Sequence, residues 1–190
     1  AGLDVGVEVD RERARRVGRE LKRHEAMERA ARALRSRDLS AAELDARLDR
    51  ARVAPAARAE TIARLTDAGA VDDKRFARSR AQALAECGAG DFLVRHDLES
   101  RGLSAEAVEA AIGSLEPEAV RAAGICSRRG AGAKTARYLA RKGFSDDTIE
   151  SAWAENIAEH DPPVVRLLNN NTTFCLHTRS FRIAPPDNHE

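Results

Sequence analysis

The strongest candidate for chemistry in this sequence is a run of cations without counter-charge. Between Arg121 and Ser145 stand seven basic residues, Arg121, Arg128, Arg129, Lys134, Arg137, Arg141 and Lys142, and no Asp or Glu. The stretch before it, Asp97 to Glu118, has six acids and a single Arg. Charge segregated in this way gives one end or groove of a folded chain a positive potential, which attracts phosphate backbones or an acidic protein groove. Arg75, Arg78 and Arg80, one unit along the chain, are a second candidate contact. Tyr138 lies inside the main cluster, where packing is its simpler role and stacking the alternative. The net charge of the whole chain is only +1, so a role toward nucleic acid has to come from this local clustering.

Other chemistries lack their residues. Gly130-Ala-Gly-Ala-Lys134-Thr135 has the look of a phosphate loop, but Ala133 and Arg128 stand where that loop needs glycine, so backbone N–H groups cannot wrap a phosphate. His24, His96, His160, His177 and His189 have no spacing that suits a metal or the activation of a nucleophile. Cys87, Cys126 and Cys175 are far apart and in no metal or redox pattern, which reads as free thiols in a reducing compartment. Asp72-Asp73 is a carboxylate pair that helix capping accounts for, with Asp73 expected as the N-cap. The sequence therefore points to a binding protein, not an enzyme, and asks for no cofactor. No apolar run approaches the roughly 20 residues of a membrane span and no secretory signal opens the chain, so a cytoplasmic, soluble protein is expected.

The elements that must carry the cations are marked by an internal repeat. Arg101-Gly-Leu-Ser-Ala-Glu-Ala-Val-Glu-Ala-Ala-Ile112 returns as Lys142-Gly-Phe-Ser-Asp-Asp-Thr-Ile-Glu-Ser-Ala-Trp153. Each copy reads as a helix end, a tight turn and a helix start. Gly102 and Gly143 suit the left-handed position past a C-terminus, and Ser104 and Ser145 suit the N-cap that follows. A third, weaker copy aligns Leu48 with Leu98 and Leu139, Val53 with Leu103 and Phe144, and Ile62 with Ile112 and Trp153. There the Gly and Ser are replaced by Arg52 and Ala54, and Pro55 starts the helix. Steps of 50 and 41 residues between copies leave room for three short helices in each.

The resulting expectation is an all-α chain of three tandem three-helix repeats in an elongated array. Its parts are an N-terminal arm and basic helix start (1–27), repeats over 28–70, 71–117 and 118–160, and an atypical tail (161–190). The arm holds seven Arg or Lys against two Glu between Arg11 and Arg23 and runs into a helix with Met27, Ala30, Ala31 and Leu34 inward. Ser40 and Glu43 form a capping box. In the second repeat Phe76, Ala83, Leu84 and Cys87 are expected inward. The tail has an Asn169-Asn-Asn171 run and reads as a hairpin, a disordered end or sequence out of the original frame. Aromatics are 4% of the chain, so each unit should have a thin core built from small side chains.

These pieces resemble the RecX family of bacterial RecA regulators. The matching residues are Leu39-Ser-Ala-Ala-Glu43-Leu44, Val71-Asp-Asp-Lys-Arg-Phe76-Ala77, and the Gly-apolar-Ser turns at Gly102 and Gly143, in that order over roughly 28–153. The resemblance implies a curved, monomeric helical protein. Such a protein lies in the groove of the RecA filament on single-stranded DNA and inhibits ATPase activity, filament growth and strand exchange. The alternative is a helical protein that binds DNA by itself. Departures from the family pattern are the turn at Arg52-Val53-Ala54 and the tail after His160.

Overall fold

A computed structural model of the chain describes residues 10–160; the expectations for the first nine residues and for the tail lie outside these. The described residues form nine α-helices and no strand. The first three are α1 (Arg11–Leu34), α2 (Ala41–Arg50) and α3 (Pro55–Asp67); then come α4 (Asp73–Glu86), α5 (Asp91–Ser100) and α6 (Ala105–Gly113), and last α7 (Glu118–Arg129), α8 (Ala133–Arg141) and α9 (Asp146–His160). Each set of three packs on itself, the first helix against the third and both against the second. Three separate apolar clusters result. The first holds Ala30, Leu44, Leu48 and Val71, the second Ala77, Val94, Leu98 and Val108, and the third Ala122, Ile125, Leu139 and Phe144.

Alanine explains how such thin cores close. The first and third helices of each set bury small side chains: Ala26, Ala30 and Ala33 with Ala57, Ala77 and Ala81 with Ala107 and Ala111, and Ala122 with Ala152. Side chains of this size let helices approach with few large groups to bury. The inward stripe of α1 is therefore Ala26, Ala30 and Ala33; Met27, Ala31 and Leu34 sit at its margin, only partly covered. Likewise α4 buries Ala77 and Ala81, half-buries Phe76 and Leu84, and leaves Ala83 and Cys87 exposed, a correction to the expected inner face. In α1 and α4 the small alanines, not the larger residues, mark the contact line.

The repeated turns have the same geometry in all three sets. Gly102 and Gly143 take φ of 73° and 81°, and Arg52 takes the same left-handed position at 58°. The hydrogen bond that closes each helix end recurs: Val53 N–H to Leu48 O (3.1 Å), Leu103 to Leu98 (3.4 Å) and Phe144 to Leu139 (3.2 Å). For a residue with a Cβ, the left-handed conformation costs about 1–2 kcal/mol, so the fold holds Arg52 against its local preference. The following helices start as their sequences dictate. Ser104 Oγ accepts from Ala107 N–H (3.2 Å), Ser145 Oγ accepts from Thr148 N–H (3.3 Å), and α3 opens on Pro55.

Neighbouring sets are tied through helix ends. Ser40 Oγ donates to Arg101 O (2.8 Å), and Gly90 N–H donates to Lys142 O (2.8 Å) at the equivalent place one joint further on. At Gly90 the two backbones approach so closely that a Cβ would overlap the Gly143–Phe144 peptide. One expectation is corrected here. The N-cap of α4 is Asp72, which accepts Arg75 N–H at 2.9 Å. Asp73 instead reaches across the joint to α2, where it accepts Ala41 N–H at 2.8 Å.

Candidate phosphate-binding cleft of the third unit

The helix α7 ends at Gly130, whose φ of 81° turns the chain toward α8. This short turn sets the C-terminal end of α7 beside the outer face of α8. An open cleft of about 570 Å³ lies there, lined by Arg129, Lys134, Arg137, Tyr138, Ala140 and Arg141. Four of the seven cations of the acid-free segment thus meet in one place, and no carboxylate lines it. Lys134 and Arg137 project from the first turns of α8, and Arg141 from its last. The guanidinium of Arg129 lies 4.3 Å from the centroid of the Tyr138 ring, and Lys142 Nζ is 5.8 Å from the same ring. Tyr138 therefore does both things the sequence allowed: it packs against the third core and supports a stacked cation. Arg137 Nε is anchored to Ala133 O (3.2 Å) on its own helix, and none of the four cleft cations has an ion-pair partner among the described residues.

The other candidate cations are placed differently. Arg121 is drawn inside the joint between the second and third units, with its side chain only 8% exposed. It donates to Ala89 O (2.6 Å) and Glu116 O (2.9 Å), pairs with Asp91, and lies over the Phe144 ring at 5.7 Å. It is a structural tie. Arg128 points into a separate, smaller recess at the same joint, shared with Glu86 and Glu116. Lys142 donates to Cys87 O (3.2 Å) and so also bridges the two units. In the second unit Arg80 is held by both oxygens of Asp97 at 2.9 Å, and Arg75 bonds Gly69 O and lies 3.9 Å from Asp72. Arg78 is exposed and, among the described residues, bonds only a carbonyl of its own helix.

The carboxylates around the joints show why those cations are engaged. Hydrogen bonds from Arg80 and Arg101 hold Asp97 well below the usual carboxylate range, although burial opposes this. Burial pushes Asp91 up, against the pull of Arg121. Burial acts the same way on Glu118. Hydrogen bonds from Asp91 N–H, Thr148 and Ser145 outweigh it and hold that carboxyl below its ordinary value. Among the described residues no group of three or more His, Cys, Asp or Glu is placed to hold a metal ion, and no helix is long and apolar enough to cross a membrane.

No family model matches the chain. It is similar, however, to curated proteins named Regulatory protein RecX. One from Xanthomonas axonopodis pv. citri is 33% identical over 153 residues, covering 75% of this chain and 94% of that protein. Another, from Stenotrophomonas maltophilia, is 35% identical over 136 residues, with 66% and 83% covered. The crystal structure of RecX from Lactobacillus salivarius superposes with a TM-score of 0.64 at 18% identity, over 72% of this chain and 97% of that one. A second crystal structure, of a regulatory protein RecX, gives a TM-score of 0.66 at 17% identity, over 78% and 81% of the two chains. Identity of a third along nearly the whole length of these relatives, on the same all-helical fold, establishes that the chain belongs to the RecX family.

Proposed function

We propose that this chain regulates RecA by binding the RecA filament on single-stranded DNA as a cytoplasmic monomer, slowing ATP turnover, filament growth and strand exchange. Membership of the RecX family supports RecA as the partner. The observation that carries the contact surface is the cleft of Arg129, Lys134, Arg137 and Arg141, four cations without a facing carboxylate. Such a cleft suits phosphates of the filament's DNA or acidic side chains along its groove. Repeats over 28–70, 71–117 and 118–160 then serve as a scaffold that presents the third unit, with Arg78 of the second as the cation best placed to extend the contact. Arg121 and Arg80 act in this reading by holding the units together.

The test is RecA ATP turnover on single-stranded DNA, titrated with the parent chain and with an Arg129→Glu, Lys134→Glu, Arg137→Glu variant. Half-inhibition by the variant should need at least about tenfold more protein, with helix content unchanged, and the parent's potency should itself fall as salt rises. A variant as potent as the parent would move the contact elsewhere. Equal affinity of the parent for single-stranded DNA with and without RecA and ATP would favour the alternative, a DNA-binding protein that acts alone.

A further inference from the structure

The first half of α1 is a helix without a core to serve. From Arg11 to Lys22 no residue is buried; the first that is buried is Ala26. Arg11, Arg15, Arg19 and Lys22 follow one another at i, i+4, i+8 and i+11, a spacing that sets them in a single row along about 17 Å of helix. All four are exposed, and none has an ion pair among the described residues. The two acids of this stretch are engaged off the row, Glu12 with Arg16 (3.8 Å) and Glu20 with Arg23 (2.6 Å). The exposed apolar residues Val17 and Leu21 fall on the opposite side of the helix. Helix stability does not explain the first member of the row, Arg11, because the first turn of a helix favours anions and disfavours cations.

The row leads to a built feature. Lys22 lines a recess of about 220 Å³ together with Arg29, Arg52 and the α2–α3 turn, with Glu25 as the one acid on its wall. Arg29 donates to Ala51 O (3.0 Å) and so fixes that turn. Arg52 is the residue held at a φ of 58° where both other units use glycine. The turn itself needs only a left-handed residue, which glycine supplies in the other two units, so a charged side chain kept there, at the end of a row of unpaired cations, points toward a ligand. We infer that the α1 row and the Arg52 recess form a second phosphate-binding surface, distinct from the third-unit cleft, that tracks the backbone of a nucleic-acid strand without reading its bases. Four cations on one helix face match a line of phosphates, and the row has none of the Asn, Gln or carboxylate side chains that pair with adenine or cytosine edges. This surface acts without RecA, so it stands apart from the function proposed above.

The test measures binding of the full chain to a fluorescein-labelled 30-nucleotide single strand, and to the same sequence as a duplex, by anisotropy over a salt series and without RecA. Two variants with the same change of charge are compared: Arg15→Glu with Arg19→Glu on the row, and Arg13→Glu with Arg16→Glu off it. The on-row pair should weaken binding about tenfold or more and lower the salt slope by about 1.4 on single strands, the share of two phosphate contacts. The off-row pair should change it less than about twofold. Arg52→Gly keeps the turn, since glycine adopts this φ freely, and should weaken binding roughly threefold, as one lost phosphate contact. Whichever of the two probes shows the larger on-row loss identifies the strand form that the row prefers. Equal losses from the two pairs, or a parent chain that binds neither probe at about 50 mM salt, would overturn the inference.

Discussion

Glu118, the residue that opens α7, accepts the backbone N–H of Asp91, the residue that opens α5, at 2.8 Å. Asp73 makes the same bond to Ala41 one joint earlier. In each case the carboxylate at the first position of a unit's first helix completes the N-terminus of the middle helix in the unit before it. At the second joint this matters more, because the N-cap of α5 is Gly90 and has no side chain to offer. The other oxygen of Glu118 collects Ser145 Oγ (3.1 Å) and Thr148 Oγ1 (2.9 Å), so one side chain ties together the starts of α5, α7 and α9.

Glu118→Ala should therefore destabilise the chain by about 1–3 kcal/mol, the cost of a lost cap with partners left unsatisfied. Asp73→Ala should cost less, about 1 kcal/mol, since Ser40 still caps α2 by itself. Thermal melts of the two variants check the order; an equal or reversed effect would mean that the second joint does not depend on its carboxylate.

Arg52→Gly should leave stability unchanged or raise it by up to about 1 kcal/mol, because relief of the left-handed strain is offset by the greater freedom of glycine in the unfolded chain. Gly143→Val should cost well over about 2 kcal/mol, since the strain of its φ adds to a Cβ that would sit 2.7 Å from Leu93 N. Denaturation midpoints of the two variants measure the contrast. A destabilised Arg52→Gly would show that the arginine side chain itself supports the turn.

Asp97 sets an acid limit. Its folded pKa lies below the ordinary value of about 4, so its contribution to stability is complete above that pH and is lost as pH falls toward the folded pKa. The chain should lose stability on acidification below about pH 4, and Asp97→Asn should flatten that dependence while lowering stability at pH 7 by about 1–2 kcal/mol. Urea melts at pH 7 and pH 3 provide the comparison; parallel losses in parent and variant would place the acid sensitivity at other carboxylates.

Cys87 is exposed, whereas Cys126 is buried in the third core, and burial raises the pKa of its thiol. In a Cys175→Ser background, a thiol reagent at pH 8 should modify Cys87 within the mixing time of a manual assay. Cys126 should react only on unfolding. Early modification of Cys126 would show that the third unit opens locally.

The sequence made the helices legible and the joints only in part. Gly102, Gly143, Ser104, Ser145 and the Ser40–Glu43 box act locally, within one turn of their own helix, and local signals survive in a linear reading. Asp73 looked like a cap for the helix it begins, and it is a cap for a helix 32 residues earlier. The same limit applies to the cations. Arg129, Lys134, Arg137 and Arg141 stand close in the chain, at the end of α7 and along α8, and are found together, whereas Arg121 and Arg80 face acids that other helices bring to them, and spacing along the chain does not record such partners. The row on α1 was visible as a count of charges. Its regular spacing, and the pairing of Glu12 and Glu20 with Arg16 and Arg23 instead of with the row, only gain meaning once the helix is seen to carry nothing buried there.

The joints have one more consequence. The two joints share a helix-end carbonyl bond and a carboxylate at a helix start, and each adds ties of its own, Arg101 to Glu43 at the first and Arg121 to Ala89 at the second. The helix α8 starts at Gly132 with no side-chain cap, as α5 starts at Gly90, yet among the described residues no acid arrives to complete it. At the two joints themselves, Asp73 and Glu118 fill this place for α2 and α5, so one pair of bonds has been used twice along the chain, as duplication of a single ancestral unit would leave it.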